Sequence, residues 1–232
     1  MASHARGTLT VAAGSGPPRR TRWIRRGALD GRPLVVLAHG AGAPMTSPFM
    51  EHVTAALVER GLAVARFDFP YMERARLEGR RRPPDASAVL LATWRTMLEA
   101  IPRWRGAPGP RVVGGKSLGG RMASMELAQG TPPDVVGAVY LGYPLHPAGR
   151  PERLRVAHLA EVAVEQLFVA GSRDGLATLA TLRREVERLG PRARLHVVEG
   201  GDHSLARSRR EPFAGSDAWL DAVAAFVREV AS

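Results

Sequence analysis

GGKSLGGR, Gly114 to Arg121, stands directly behind the short run Arg111-Val112-Val113, and the rest of the chain is read outward from it. Within it, Gly115-Lys116-Ser117-Leu118-Gly119 spells G-x-S-x-G, the pattern of a serine held on a sharp turn between a strand and a helix with its Oγ exposed. Such a turn needs glycine on both sides, because a Cβ at Gly115 or Gly119 would meet the neighbouring strand or helix. A five-residue pattern is weak alone in a chain with 25 glycines, so its surroundings decide what it means.

Those surroundings alternate between strand and helix signals. Pro33–His39 (PLVVLAH) reads as a buried strand, followed by a Gly/Ala/Pro loop over 40–48 and a helical pattern from Phe49 to Arg60 that Gly61 terminates. Leu62–Phe69 is the next strand, Tyr71–Pro84 an Arg-rich loop, and Asp85 can cap a helix running to about Trp104. Arg111–Gly115 is a strand and Ser117 opens a helix to about Gln129. Strands at Val135–Leu141, Glu165–Ala170 and Arg194–Val198, with helices at about 176–189 and 216–230, complete the alternation. Strands apolar on both faces with helices between them predict an α/β layer architecture around a mostly parallel sheet, with ligands at the carboxyl ends of the strands. Thr8–Ala13 and Thr21–Arg25 are expected as antiparallel edge strands joined through the linker Gly14-Ser15-Gly16-Pro17-Pro18.

The 232 residues suffice for one core, and a single domain over 1–232 is expected, with 1–32 as edge strands and linker. The absence of cysteine excludes disulfides and thiolate chemistry. The start MASHARGTLTVAAGSG lacks a signal-peptide pattern and no apolar run reaches the ~20 residues of a membrane span, so a cytoplasmic protein without membrane attachment is expected. The net charge of +11 comes almost wholly from arginine, Lys116 being the single lysine, and the arginines form no stripe and accompany no nucleic-acid-binding motif. They are read as solvated surface, with an anionic ligand as the minority option, for which Arg121, Arg150, Arg153, Arg155 and the run Arg80–Arg82 fall in helix-start or loop positions that could rim the cleft.

A serine hydroxyl needs a base to take its proton and an acid to orient that base. Asp174, ending LFVAGSRD, and His203, in VVEGGDH, follow Ser117 in the chain order expected when the three hang from successive strand ends. Asp202 is a poorer acid because neighbouring residues project in different directions; Asp68 ends a strand but precedes the serine, and His196 lies within a strand. For the oxyanion, the N–H of Leu118 at the helix start is one donor and that of Ala41, in the glycine loop behind the first buried strand, is the second. His39, Gly40, Lys116, Tyr143 and His146 fall near the expected mouth and are candidates for substrate contact, with His146 and His158 as alternative loop anchors. Lys116 is expected either in solvent or against a carboxylate. Gly115-Lys116-Ser117 also ends the phosphate-loop pattern G-x-x-x-x-G-K-[ST], but position 110 is proline and the intervening residues are strand material. No metal-ligand spacing is present, and neither a metal nor an organic cofactor is expected.

The strings HGAGAPMTSPFM (from His39), ARFDFPYM (from Ala65), RRPPD (from Arg81), GGKSLGGRMAS (from Gly114) and LGYPLHPAGRPERLRVAHL (from Leu141), with GSRD and GDHS, resemble the α/β-hydrolase branch that includes the third regulatory subunit of the NSL histone-acetyltransferase complex and its testis-expressed relative. Bacterial members of that branch are dienelactone-hydrolase-like. The resemblance covers about residues 33–205 and implies the α/β-hydrolase fold, with Ser117, Asp174 and His203 at the triad positions. One departure follows the acid, where the usual Pro-Phe-Gly is Gly175-Leu176-Ala177, a turn expected to hold Asp174 less firmly. About twenty residues separate Leu141 from Glu165, too few for a large cap domain, which favours small soluble substrates. The reading that results is a serine hydrolase acting on a small ester, thioester or amide through an acyl-enzyme, its acyl group neutral or anionic. The alternative is a non-catalytic module that keeps the fold and binds a protein partner.

Overall fold

In the computed structural model, which describes residues 4–13, 16–104 and 109–232, eight strands form one sheet in the order β1-β2-β4-β3-β5-β6-β7-β8. The strands are β1 (His4–Val11), β2 (Arg19–Arg26), β3 (Leu34–Ala38), β4 (Ala63–Phe67), β5 (Arg111–Lys116), β6 (Val135–Leu141), β7 (Glu165–Gly171) and β8 (Ala193–Val198). From β4 through β8 every neighbouring pair is parallel, while β1 and β2 add an antiparallel margin against β4. The expected edge strands are thus present; Gly14 and Ser15 of the linker lie outside the described residues.

The continuous apolar strands are buried on both faces, as their composition requires. Along β3, Leu34, Val36 and Ala38 enter one core layer and Val35 and Leu37 the other. The first layer packs under α3 (Ser87–Ala100), α4 (Leu118–Leu127) and α5 (Leu179–Leu189), and the second under α1 (Pro48–Glu59) and α6 (Asp217–Val230). Ser47 caps α1 by accepting from the Met50 N–H at 3.5 Å, with Pro48 at the first helical position.

Three expectations need correction. The Arg-rich stretch after β4 is no loop in its first half but the helix α2 (Pro70–Glu78). Pro70 opens it, Gly79 closes it with φ 65°, and Arg76 pairs with Glu73 across one turn at 2.6 Å. Asp85 does not cap α3. Its carboxylate takes Arg19 at 2.9 Å and Arg74 at 2.6 Å, tying the β2 margin to α2, and α3 begins two residues later behind Ala86. α3 also stops short of Trp104, because Pro102 converts its end into a 3₁₀ turn over Ile101–Arg103.

Among the described residues no cap domain covers the sheet. The segment between β6 and β7 crosses the carboxyl edge with only a 3₁₀ turn, Ala157–Glu161, of its own. No helix among the described residues is long and apolar enough to cross a membrane.

Candidate active site

β5 ends at the middle of the sheet, between β3 and β6, and Ser117 follows it as the cap of α4. Its backbone sits at φ 49° and ψ −113°, a conformation that costs a non-glycine residue about 1–3 kcal/mol. Packing enforces it. A Cβ on Gly115 (φ 151°) or on Gly119 would run into the Ala38 carbonyl oxygen at the end of β3, so only glycine lets α4 approach this closely. The sequence expectation for both glycines therefore has a specific steric cause.

Ser117, Asp174 and His203, far apart in the chain, meet at this edge. His203 Nε2 lies 2.9 Å from Ser117 Oγ and His203 Nδ1 lies 2.8 Å from Asp174 Oδ2. The Asp174 side chain is fully buried while the imidazole is 28% exposed, so the chain of contacts runs from the interior to an accessible hydroxyl. The expected looseness after Asp174 is countered locally. Leu176 donates its N–H to Asp174 Oδ1 at 2.8 Å, and its carbonyl accepts from the Leu145 N–H at 3.0 Å. One carboxylate oxygen thus serves the turn and the other the imidazole.

The competing carboxylates have other partners. Asp202 Oδ1 accepts from the N–H groups of Ser204 at 2.7 Å and Ala206 at 3.1 Å, folding the loop that carries His203 rather than facing its ring. Asp68 accepts from the Met45 N–H at 2.8 Å and pairs with Arg22 at 3.2 Å, anchoring the loop behind β3. His196 lies within β8, in the strand position read for it.

That loop carries the expected second oxyanion donor. The Tyr71 hydroxyl, held protonated far above its ordinary range by burial, donates to the Ala41 carbonyl at 3.0 Å. No hydrogen bond between described residues takes the Ala41 N–H. Leu118, first residue of α4, has no partner for its N–H within the helix. Gly40 lies against the serine, since a Cβ there would stand 3.7 Å from Ser117 Cβ.

Of the remaining expected contact residues, His39, Tyr143 and Lys116 sit differently from what the sequence suggests, while His146 takes the loop-anchor role also read for it. His39 is wholly buried. Its Nε2 accepts from the Phe69 N–H at 3.0 Å, which leaves Nδ1–H to donate to the Gly40 carbonyl at 2.7 Å. Burial pushes its pKa down, so a neutral ring clamps the glycine loop. Tyr143 is buried, its hydroxyl 3.1 Å from Ser124 Oγ and 3.2 Å from His158 Nε2. His158 is pushed down to about 4 by burial and then by Arg121, so this cluster carries no charge at neutral pH. His146 is buried with Nδ1 at 2.9 Å from the Pro147 carbonyl, a loop anchor. Lys116 is neither in solvent nor on a carboxylate. It is 9% exposed, and its Nζ donates to the backbone carbonyl of His203 at 2.5 Å.

Of the arginines read as possible rim residues, Arg80, Arg81 and Arg82 line a cleft beside the glycine loop, whereas Arg121, Arg150, Arg153 and Arg155 are not among the residues lining it. That cleft, of about 500 Å³, opens beside Ala41 and is lined also by Asp68, Met72, Arg22 and Arg76. Arg121, one helical turn after Ser117, has its Nε buried without a hydrogen-bond partner, and burial and nearby Arg155 both lower its pKa against the opposing pull of Tyr143. Arg121 is legible in GGKSLGGR by its i+4 spacing from the serine, but its lack of a partner is not. Among the described residues no group of three or more His, Asp or Glu side chains converges as metal ligands do.

Comparison with known proteins agrees with this architecture. Residues 31–231 match the family model described as an alpha/beta hydrolase domain. Est1E from Butyrivibrio proteoclasticus superposes with a TM-score of 0.71 at 14% identity, over 97% of this chain and 98% of that one. Dienelactone hydrolase from Anabaena variabilis gives 0.69 at 20% identity, over 97% and 96%. A cold-adapted esterase from an Arctic intertidal metagenomic library gives 0.66 at 21% identity, over 95% and 94%. No curated protein matches the sequence.

Proposed function

Because the chain belongs to the alpha/beta hydrolase family, we propose that it is a serine hydrolase cleaving a small ester, thioester or amide. The observation that carries this reading is the unbroken path from Ser117 Oγ through His203 to the buried Asp174, with both contacts under 3 Å. In the proposed cycle His203 Nε2 takes the Ser117 proton as Oγ attacks the acyl carbon, and returns it to the leaving group as the tetrahedral intermediate collapses. Asp174 holds Nδ1–H and stabilises the imidazolium that forms. The N–H groups of Leu118 and Ala41 receive the oxyanion, aided by the positive end of α4. Water then enters the acyl-enzyme by the same route in reverse, its proton passing to His203 and on to Ser117. No step draws on a cofactor.

The strain at Ser117 supports the same reading, since a folded chain retains such a conformation only where surrounding packing over-determines it. The alternative, a protein-binding module without activity, is suggested by the resemblance to the NSL-complex subunit branch, and the intact path weighs against it. The open edge and the cleft beside Ala41 suit a short acyl chain. An anionic acyl group is the second option, with Arg121, one helical turn after Ser117 and with its buried Nε without a hydrogen-bond partner, as the candidate counter-ion. By contrast, Arg22, Arg76, Arg80 and Arg82 along the cleft are paired with Glu73 or Glu78.

A fluorophosphonate probe tests the main reading. It is expected to label the wild-type protein at Ser117 and to leave S117A unlabelled, with p-nitrophenyl acetate hydrolysis lost in parallel. An unlabelled wild type, or an S117A that hydrolyses as fast, would count against it.

A further inference from the structure

Lys116 stands out before any chemistry is assigned to it. Of 33 basic residues it alone is lysine, and it is among the few that are buried. Its side chain leaves the end of β5 and threads a slot made by two glycines. A Cβ on Gly142 (φ 64°) would stand 3.0 Å from Nζ and would collide with the His203 carbonyl, and a Cβ on Gly40 would stand 3.4 Å from Lys116 Cγ. The Phe49 ring lies 5.8 Å from Nζ. At the end of the slot the amine's only hydrogen-bond partner among the described residues is the His203 carbonyl, at 2.5 Å.

A slot of this kind admits a compact ammonium on a flexible stem. The planar guanidinium used everywhere else in this chain is larger and spreads its donors in a rigid fork. The bond is also placed where it has leverage. The imidazole of His203 touches Asp174 and Ser117, but the backbone that carries it sits in a glycine-containing loop, Gly200-Gly201-Asp202-His203. Asp202 folds that loop on itself. Lys116 ties it to the strand that presents the serine, so nucleophile and base are referenced to the same two consecutive residues, 116 and 117.

We propose that Lys116 is a positioning residue for the Ser117 reaction, its ammonium clamping the His203 carbonyl so that the imidazole is held within hydrogen-bond range of the serine. This rests on the serine-hydrolase reading above. A charge-assisted hydrogen bond is roughly twice as strong as a neutral one, so the clamp is strongest while the amine is protonated. Burial pushes the Lys116 pKa down to about 8, against the opposing pull of Asp174 and Asp202, the charged groups that face it. A depressed lysine is a cation below that value and neutral above it, so the clamp weakens as pH rises through about 8.

The test uses full-length wild type, K116M, K116Q and K116R, each assayed for fluorophosphonate labelling and for p-nitrophenyl acetate hydrolysis between pH 6 and 10. K116M is expected to lose about 10- to 100-fold in kcat, the scale of a sub-ångström to one-ångström misplacement, with KM changed less than threefold. Wild-type kcat is expected to fall above about pH 8, and K116M and K116Q to lack that decline. K116R is expected not to restore wild-type kcat. K116Q, shorter and neutral yet still a donor, keeps the test informative if K116M fails to fold. Wild-type kcat and an unchanged pH profile in K116Q or K116M overturn the clamp while leaving the hydrolase reading intact, because Ser117 still labels. A wild type that never labels overturns both.

Discussion

The turn that presents Ser117 and the loop that presents His203 reach the same edge of the sheet by opposite means. The serine turn is fixed by exclusion: Gly115 and Gly119 press against the Ala38 carbonyl, and the strained residue between them makes no side-chain capping bond to α4. The histidine loop is fixed by attraction, through the Asp202 carboxylate on two backbone N–H groups and the Lys116 amine on a carbonyl. Steric fixation is close to all-or-none, because interiors are packed at crystal density and a single added methyl has nowhere to go. Hydrogen-bonded fixation is graded and depends on protonation. One half of the site should therefore fail by misfolding and the other by losing rate.

D174N is the strongest way to break the comparison. It leaves the shape of the site and both loops in place but offers Nδ1 the wrong tautomer, so kcat is expected to fall about 10,000-fold with little change in melting temperature. Steady-state kinetics beside a thermal melt would check both halves, and a melting point lowered as severely as the rate would show that Asp174 is chiefly structural. On the steric side, G119A drives a Cβ into the backbone of Ala38 and His39. The expected cost is about 3 kcal/mol, read by urea denaturation. A G119A that matches wild-type stability would mean that the turn can relax and is not fixed by exclusion. The smallest effect belongs to D202A, which opens the folded loop without adding bulk. Here kcat is expected to fall about 10-fold while stability drops by about 1 kcal/mol for the lost backbone contacts. Because Asp202 also favours the Lys116 cation, the alkaline decline of activity should begin at lower pH in D202A. An unmoved decline would separate the two supports of the loop.

The alternation of apolar runs with helical patterns located β3 through β8 within a residue or two, since strands buried on both faces carry their signal in composition alone. The helix α2 was hidden by its arginines. Its face toward solvent is long and basic, and the short apolar set Pro70, Tyr71 and Met72 is crowded into the first turn, so periodicity was lost although Pro70 and Gly79 mark its ends. Asp85 misled for a related reason. A carboxylate before a helical pattern is an ordinary cap, but two arginines distant in sequence compete for it more strongly than one backbone N–H.

From the sequence alone came the strand-turn-helix around Ser117, the order of serine, acid and histidine, and the glycines that let backbones touch. These are local or ordinal properties, set by which residues can adopt a given dihedral or end a given strand. Only the tertiary structure decided which way side chains point: that His39 and Tyr143 are buried in the framework, that Asp202 turns from the ring, and that Lys116 reaches the His203 carbonyl. Those outcomes depend on neighbours brought together from distant parts of the chain, where burial makes each polar group seek whichever partner the packing supplies.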